Sequence, residues 1–413
     1  MNRVKSLLIV LVLFFSCSNR EPLNPLDLNN PDTQGKPVGL KLIPLQKSIQ
    51  MSWDKVDVND ITHYTIHRMS DKEQLKEMAS VKTNAFIDTS IDYFVQYSYG
   101  VQVHTNSYSS PFSNFETISI GPYNIYITDF WDSSIKILSW DGNYTFASYP
   151  IYGPRDMCLR KFDNKFCVAD YYDQRLRFLD AGFTNIESLQ LPDYPLDLDI
   201  NQEKGIIFVA TKGGLIIEID KNNNIVQTRN LNTILSWDTR LSFDPKNNYC
   251  WITVPDSNKV LQYSTEHNIM DTKVYDGFTY PSKIQTFKNA WVSDTTGLYE
   301  IDLQGERTNV IENMKITDIA IDTINNKCFF SGYSKDDKSW QVGVLDMINY
   351  DKTIILDGDV PYVYNVYPVT SDNQNGIFFI QQAFTWKLFV YNEQKDLIGE
   401  NEGFNSRISF ETY

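Results

Sequence analysis

The chain beyond residue 120 repeats one short apolar strand pattern, bounded each time by polar turn residues. The pattern recurs at residues 124–129, 166–170, 207–211, 249–253, 290–294, 328–331 and 377–381. A second apolar run follows each of these after a short loop, and no stretch keeps a helical period. The seven units average about 42 residues, a length that suits four strands and their turns. The pattern therefore predicts a seven-bladed β-propeller over residues 121–413, or six blades if one unit is out of phase.

The two ends of this region predict how the ring closes. An inner strand precedes each recurring strand, as residues 157–160 precede 166–170, but the first unit has none before it. The last unit has a surplus strand at residues 407–413. We expect this C-terminal strand to complete the first blade, because closure removes the exposed sheet edges.

Residues 37–120 follow a different pattern, in which short alternating apolar and polar runs are separated by turn residues. This pattern is typical of a seven-stranded β-sandwich. The runs at residues 49–53, 64–68, 86–88, 97–101 and 110–113 resemble those of a fibronectin type III domain. The resemblance implies that Trp53 lies in the core and that Tyr97 bonds back to the backbone. It implies a spacer or an interaction module, not a chemical activity.

The recurring strand of the second region ends as Val-Ala-Asp at residues 168–170. This ending resembles the NHL-type repeats of β-propellers, and the resemblance implies the fold, with binding as its commonest use. We interpret Asp129, Asp170 and Asp294, which end three of these strands, as turn-capping residues.

The N-terminus combines Arg3 and Lys5 with an apolar run over residues 7–15, too short to span a membrane. The sequence Phe14-Phe15-Ser16-Cys17 that follows resembles a bacterial lipoprotein signal. The resemblance implies removal of residues 1–16, lipid attachment at Cys17 and a place in the cell envelope, with the outer membrane favoured over the inner. An ordinary signal peptide or a buried strand stays open. Residues 17–36, rich in Pro and Asn, suggest a flexible tether.

Composition narrows the function. The chain has 52 acidic and 37 basic residues, a net charge of −15, which argues against nucleic acid as a partner. Four histidines in 413 residues make a histidine-based catalytic or metal site hard to build. The cysteines after Cys17 are interpreted as apolar strand residues, with disulfide pairing as the second choice; they are Cys158, Cys167, Cys250 and Cys328.

Aligning the inner strands of the seven units gives one polar position in each, which we expect at the channel mouth. In blade order these residues are Arg407, Asp156, Asp197, Arg240, Lys283, Asp318 and Asn365. Neighbouring opposite charges on adjacent blades explain such a ring structurally. The alternative is a polar pocket in which the carboxylates and the amide hold a divalent ion, with calcium possible and no cofactor otherwise expected.

Loops between the second and third strands carry aromatic residues in only some blades. They offer Phe130, Trp131, Tyr171, Tyr172, Tyr333, Trp340, Phe384 and Trp386, from blades one, two, six and seven. The loops that lead into the inner strands add Tyr152, Tyr194, Trp237, Tyr280 and Tyr362. Exposed rings beside polar groups suit stacking on sugars or anchoring of a protein partner, whereas some rings could instead wedge between blades.

These patterns predict a lipid-anchored, extracytoplasmic binding protein that presents a propeller face to a neutral glycan or a protein. The competing hypothesis is a metal-assisted hydrolase or lactonase at the channel mouth. A purely structural member of an envelope complex is a third.

Overall fold

The computed structural model describes residues 24–45, 47–121, 123–183, 186–266, 272–358, 363–369, 377–382, 387–391, 397–401 and 408–412. For residues 363–369, 377–382 and 408–412 it describes the backbone. The predicted lipidation site Cys17 and the cleavage region before it lie outside these residues. The chain divides into two compact units, Met1–Pro122 and Tyr123–Tyr413.

The first unit begins with a run of turns, where composition suggested a flexible tether. The side-chain oxygen of Asn30 accepts the backbone N–H groups of Asp32 and Thr33 at 3.0 and 3.3 Å. The Thr33 hydroxyl donates to the Pro25 carbonyl at 2.6 Å. Short polar side chains therefore give residues 24–36 local hydrogen-bonded structure without a hydrophobic core.

Seven strands follow in two antiparallel sheets. They are β1 (Lys41–Leu45), β2 (Ser48–Ser52), β3 (Ile61–Ser70), β4 (Lys76–Val81), β5 (Ala85–Asp88), β6 (Gln96–Thr105) and β7 (Glu116–Ser119). One sheet has the order β1-β2-β5 and the other β4-β3-β6-β7. Alternate residues point inward, so that Ile49 and Met51 of β2 are fully buried while their neighbours are not. This is the predicted β-sandwich.

Two aromatic residues of the sandwich occupy the predicted places. Trp53 is buried and meets Tyr64 edge to face, with ring centroids 5.4 Å apart. The Tyr97 hydroxyl accepts the backbone N–H of Asp92 at 2.9 Å. A tyrosine that fastens the chain a few residues upstream is a recurring feature of such sandwiches.

The second unit contains seven four-stranded antiparallel sheets, the blades of a β-propeller. Blade one contains β8 (Ile125–Asp129), β9 (Ser134–Leu138) and β10 (Thr145–Pro150). Blade two contains β11 (Pro154–Arg160), β12 (Lys165–Asp170), β13 (Arg175–Asp180) and β14 (Ile186–Gln190). Blade three contains β15 (Pro195–Asn201), β16 (Ile206–Thr211), β17 (Leu215–Ile219) and β18 (Ile225–Asn230). Blade four contains β19 (Leu241–Asp244), β20 (Tyr249–Val254), β21 (Lys259–Ser264) and β22 (Lys273–Tyr275). A short 3-10 helix, Pro255–Ser257, follows β20.

The remaining blades have the same order. Blade five contains β23 (Lys283–Phe287), β24 (Asn289–Ser293), β25 (Gly297–Ile301) and β26 (Arg307–Glu312). Blade six contains β27 (Met314–Asp322), β28 (Lys327–Ser334), β29 (Ser339–Asp346) and β30 (Lys352–Asp357). Blade seven contains β31 (Val363–Val369), β32 (Ile377–Gln382), β33 (Leu388–Tyr391) and β34 (Leu397–Asn401).

The recurring strand of the sequence is the second strand of each blade. All five residues of β8 are buried, and so are five of the six residues of β12, β16 and β20. Neighbouring blades cover both faces of this strand, so both faces are apolar and the pattern reads as a continuous run.

The last strand of the chain, β35 (Ile408–Thr412), is the inner strand of blade one. It pairs antiparallel with β8, from Ile408 opposite Asp129 to Thr412 opposite Ile125. The sequence analysis placed the C-terminal strand in this blade. Closure of the ring therefore joins the first and the last strand of the second unit.

All four cysteines of the propeller are buried. Cys158 and Cys167 lie directly opposite each other on β11 and β12. The others lie in the second strands of blades four and six. They pack as small apolar residues, in agreement with the first interpretation.

Candidate functional site

The channel-mouth positions follow a β-bulge in several inner strands. The pairing register shifts immediately before Asp156, Asp197, Asp318 and Asn365, in blades two, three, six and seven. A bulge inserts one extra residue and redirects the side chain that follows it. The bulge therefore places these four polar residues at equivalent positions in blades two, three, six and seven.

Carboxylates in the channel bond to the next blade. The Asp156 carboxylate accepts the backbone N–H of Leu198 at 3.1 Å, and that of Asp197 accepts the N–H of Leu241 at 2.7 Å. Asp199, which the sequence analysis did not single out, accepts the N–H of Phe243 at 2.8 Å. An inner strand has one edge without a strand partner, and its N–H groups need acceptors. These side chains supply them, so they have a structural role.

Charges of the ring also pair with each other. Arg240 lies 3.6 Å from the Asp197 carboxylate, and Lys283 forms an ion pair with Asp318. Both pairs join adjacent blades, as the order of charges suggested. Burial, and then the negative charge of Asp156, raise the pKa of Asp197 to about 8. Burial raises the pKa of Asp199 to about 6. Asn365 is described by its backbone alone, and Arg407 lies outside the described residues.

The aspartates that end the recurring strands organise the loops after them. Asp129 and Asp170 are buried and form ion pairs with Lys136 and Arg177 at 3.3 and 2.7 Å. The Asp294 carboxylate accepts the backbone N–H of Gly297 at 2.9 Å. They cap turns, which is the role that the sequence suggested.

A cluster of seven aromatic rings lies at the end of the blades where the recurring strands finish, and we call it the aromatic cap. Its members come from the loops of blades one and two and from the loops that lead into blades two, three and four: Phe130, Trp131, Tyr152, Tyr171, Tyr172, Tyr194 and Trp237. Ring centroids of neighbours are 4.6–6.1 Å apart. Five rings are exposed, most of all Trp131 at 67% and Tyr152 at 60%.

Trp237 holds the cap together across the channel. Its ring centroid lies 4.6 Å from that of Tyr171 and 5.2 Å from that of Phe130. Trp237 belongs to the loop entering blade four and Phe130 to blade one. Because two blades separate these along the ring, we infer that the contact passes over the channel mouth. The Arg155 guanidinium stacks 4.4 Å from the centre of the Trp237 ring and donates to its carbonyl oxygen.

The cap differs from the predicted surface in two respects. Phe130 and Tyr171 are 6% and 5% exposed, because they support the outer rings instead of facing solvent. The cap also extends over blades one to four, whereas the sequence analysis placed the rings on blades six, seven, one and two. The cap reaches blades three and four because it includes rings from the loops that lead into the inner strands, namely Tyr152, Tyr194 and Trp237. In the sequence these three rings were only additions to the predicted surface.

The remaining aromatic residues predicted for this surface make other contacts or lie outside the described residues. Tyr333 and Trp340 are cross-strand partners in blade six, half-buried, with ring centroids 5.5 Å apart. Phe384 and Trp386 lie outside the described residues. The loop residue Tyr280, from the entry to blade five, donates to the Asp238 carboxylate at 2.8 Å.

Three of the four histidines lie together in the sandwich. The rings of His63 and His104 stack with centroids 4.5 Å apart. The Thr65 hydroxyl lies within hydrogen-bond distance of His104 Nε2 and His67 Nε2, at 2.8 and 3.2 Å. Packing and hydrogen bonds account for this cluster.

The described residues contain neither a clustered metal site nor a membrane-spanning helix. No group of three or more His, Cys, Asp or Glu side chains among them is arranged to hold a metal ion. In the same part of the chain, no helix is long and apolar enough to cross a membrane.

Comparisons with known proteins support the fold. No family model and no curated protein sequence matches the chain. Among solved structures, hydrazine synthase of Kuenenia stuttgartiensis aligns with a TM-score of 0.52 and 11% identity, over 66% of this chain and 93% of that one. The structure of U3-55K aligns with a TM-score of 0.51 and 9% identity, over 63% of this chain and 85% of that one. At such low identities the likeness shows a propeller fold and nothing of function.

Proposed function

We propose that this protein is a binding module that presents the aromatic cap of its propeller to a neutral glycan or a protein partner. The observation that carries the proposal is the exposure of five rings held together over the channel mouth. Exposed aromatic clusters of this kind are uncommon on a protein surface that binds nothing. Rigid rings lose little conformational entropy on binding, which suits them to recognition.

The position of the cap agrees with this role. The chain enters the propeller at the start of β8, and β8 ends at Asp129, directly before Phe130 and Trp131. The entry point and the cap are therefore at opposite ends of the blade. No residue of the cap therefore belongs to the segment that enters the propeller at β8.

The charged ring gives less support to the competing hypothesis, a metal-assisted hydrolase, than the cap gives to a binding module. Its described carboxylates accept backbone N–H groups or pair with cations of the adjacent blade. The neighbouring cations Arg240 and Lys283 would repel a divalent metal ion from these carboxylates. We therefore favour binding at the cap over a metal-assisted hydrolase at the channel mouth.

The cap can be tested with the double variant Trp131→Ala, Tyr152→Ala. Labelled protein would be incubated with arrays of neutral oligosaccharides and of synthetic peptides. We expect the variant to lose the retention that the unmodified protein shows on one array. The control is Ile348→Ala, which removes an apolar side chain of similar exposure from the turn between β29 and β30, at the opposite end of the blades. Equal retention of all three proteins would contradict the proposal.

The proposed cellular setting has its own support and test. The signal-like residues 1–16 and Cys17 support a lipid anchor in the cell envelope, with the outer membrane favoured. The two-sheet sandwich and the Tyr97 hydrogen bond support a fibronectin type III-like spacer. Metabolic labelling with a fatty acid should mark the protein in cells, and Cys17→Ser should abolish the label. A labelled Cys17→Ser variant would overturn the anchor.

A further inference from the structure

Each of four exposed cap rings has a carboxylate as its sequence neighbour. The pairs are Trp131 with Asp132, Tyr172 with Asp173, Tyr194 with Asp193, and Trp237 with Asp238. The pairs come from four separate loops, two that follow recurring strands and two that enter inner strands. Four of the five exposed rings of the cap are therefore accompanied by a carboxylate in the same loop.

In blades one and two, a single cation forms ion pairs with two carboxylates at once. Lys136 bonds both Asp129 and Asp132, and Arg177 bonds both Asp170 and Asp173. Each loop thus sets two carboxyl groups against one cation. Asp132 and Asp173 keep 40% and 41% of their side chains exposed.

The cap already accommodates one cation. The guanidinium of Arg155 lies 4.4 Å from the centre of the Trp237 ring and also donates to the Trp237 carbonyl oxygen. An aromatic face attracts a guanidinium or ammonium group through its quadrupole, and a carboxylate beside it adds charge attraction. This intramolecular contact shows the geometry that a second cation could adopt on a neighbouring ring.

The charge of the whole propeller favours the same class of partner. Its sequence from residue 121 onward has 40 acidic and 26 basic residues, a net charge of 26 − 40 = −14. A basic segment would be attracted over distance, whereas a neutral glycan would gain nothing from this field.

We propose that the cap takes a protein segment bearing Arg or Lys side chains, which stack on the exposed rings and pair with the adjacent carboxylates. This proposal rests on the proposed function, because it names the partner class for the same surface. Aromatic rings supply contact area, and the carboxylates select a cationic side chain over a neutral one.

The test compares three probes by isothermal titration calorimetry on the purified protein. They are a peptide of alternating arginine and glycine, the same peptide with citrulline at each arginine position, and the neutral glycans maltoheptaose and cellohexaose. Citrulline has the shape of arginine without its charge. We expect the arginine peptide to bind at least about tenfold more tightly than the citrulline peptide, and its affinity to fall as salt is raised.

Variants assign the effect to the cap. Asp132→Asn with Asp173→Asn removes two exposed charges and should weaken the arginine peptide alone. Glu203→Gln, which removes an exposed charge from the turn between β15 and β16 at the opposite end of the blades, is the matched control and should bind normally. Thermal melting would show that each variant is folded.

The outcomes separate the two proposals. Equal binding of the arginine and citrulline peptides, or binding of a neutral glycan alone that Trp131→Ala abolishes, would overturn the cationic partner and leave the cap as a binding site. An arginine peptide whose affinity is the same in the double variant and in Glu203→Gln would also overturn it. Binding of any probe that Trp131→Ala with Tyr152→Ala leaves intact would count against the cap itself.

Discussion

The charged ring of the channel and the aromatic cap above it are both unusual constellations, but the protein uses them differently. In the ring, Asp156 and Asp197 accept N–H groups of the next blade, and Arg240 lies beside Asp197. In the cap, Phe130 and Tyr171 are buried supports, yet the rings that they support face solvent. A charged side chain whose hydrogen-bond and ion-pair partners lie within the protein has a structural role, and that role accounts for its presence. Solvent-exposed rings that are supported by other rings have no such structural explanation, so we look for function in the cap.

This contrast predicts that the charged ring and the buried rings Phe130 and Tyr171 stabilise the fold, whereas the exposed rings of the cap contribute little to stability.

Removing β35 should have the largest effect. Deletion of residues 408–413 takes the inner strand from blade one and exposes the paired edge of β8. We expect a large fall in the urea midpoint and loss of a single cooperative transition. Adding a synthetic peptide of residues 408–413 should restore much of the loss. An unchanged unfolding curve would show that closure does not depend on this strand.

Asp197→Ala should rank next. It leaves the N–H of Leu241 without its acceptor and Arg240 without its neighbouring carboxylate. Leaving a buried backbone N–H without its acceptor costs about 1–3 kcal/mol. Asp197→Asn keeps an acceptor oxygen and should lose much less in the same urea titration. Equal losses for the two variants would mean that charge, not the hydrogen bond, fixes this position.

The pH dependence tests the same residue. Because burial raises the pKa of Asp197 to about 8, the folded protein binds a proton here more tightly than the unfolded chain, whose aspartates titrate near pH 3.9. The stability from this group is fully present below about pH 4 and is lost as the pH rises through about 8. Asp199, with a pKa of about 6, acts in the same sense over a narrower window. Urea unfolding at pH 5 and pH 8 should therefore show a smaller fall in Asp197→Asn than in the unmodified protein. The same fall in both would contradict the assignment.

Gly153→Ala tests the support beneath the cap. Gly153 has φ of 87°, and a Cβ there would lie 2.6 Å from a ring carbon of Tyr172 and 3.2 Å from one of Phe130. We expect a loss of about 1–3 kcal/mol together with weaker ligand binding. Gly358→Ala is the control, since Gly358 also has positive φ, 77°, but nothing within 4 Å of its Cβ position. Equal losses of stability in Gly153→Ala and Gly358→Ala would mean that backbone strain at positive φ causes the effect, and not the contact of the new Cβ with the rings.

The sequence predicted the propeller because the second strands, which in blades one to four are buried on both faces, leave regular apolar runs. It aligned Asp156, Asp197, Asp318 and Asn365 with one another, and in the structure each of these follows a bulge in its inner strand. It could not predict that Trp237 reaches Phe130, because that contact joins blades that are far apart in sequence and not adjacent in the ring. Nor could it separate Phe130 from Trp131, since an aromatic pair in a loop shows no period that tells the buried ring from the exposed one.

Trp131→Ala should have the smallest effect on stability, and this is the sharpest test of the contrast. Trp131 meets Phe130 edge to face at 5.1 Å but is 67% exposed, so little apolar area returns to water when it is truncated. We expect a change within about 0.5 kcal/mol by thermal or urea unfolding. The control is its neighbour: Phe130→Ala empties a buried position and should cost about 3 kcal/mol or more. If Trp131→Ala destabilised the protein as much as Phe130→Ala does, the exposed rings would stabilise the fold as the charged ring does, and the contrast would be wrong. Near-wild-type stability combined with lost binding would instead make Trp131 a residue retained for a partner.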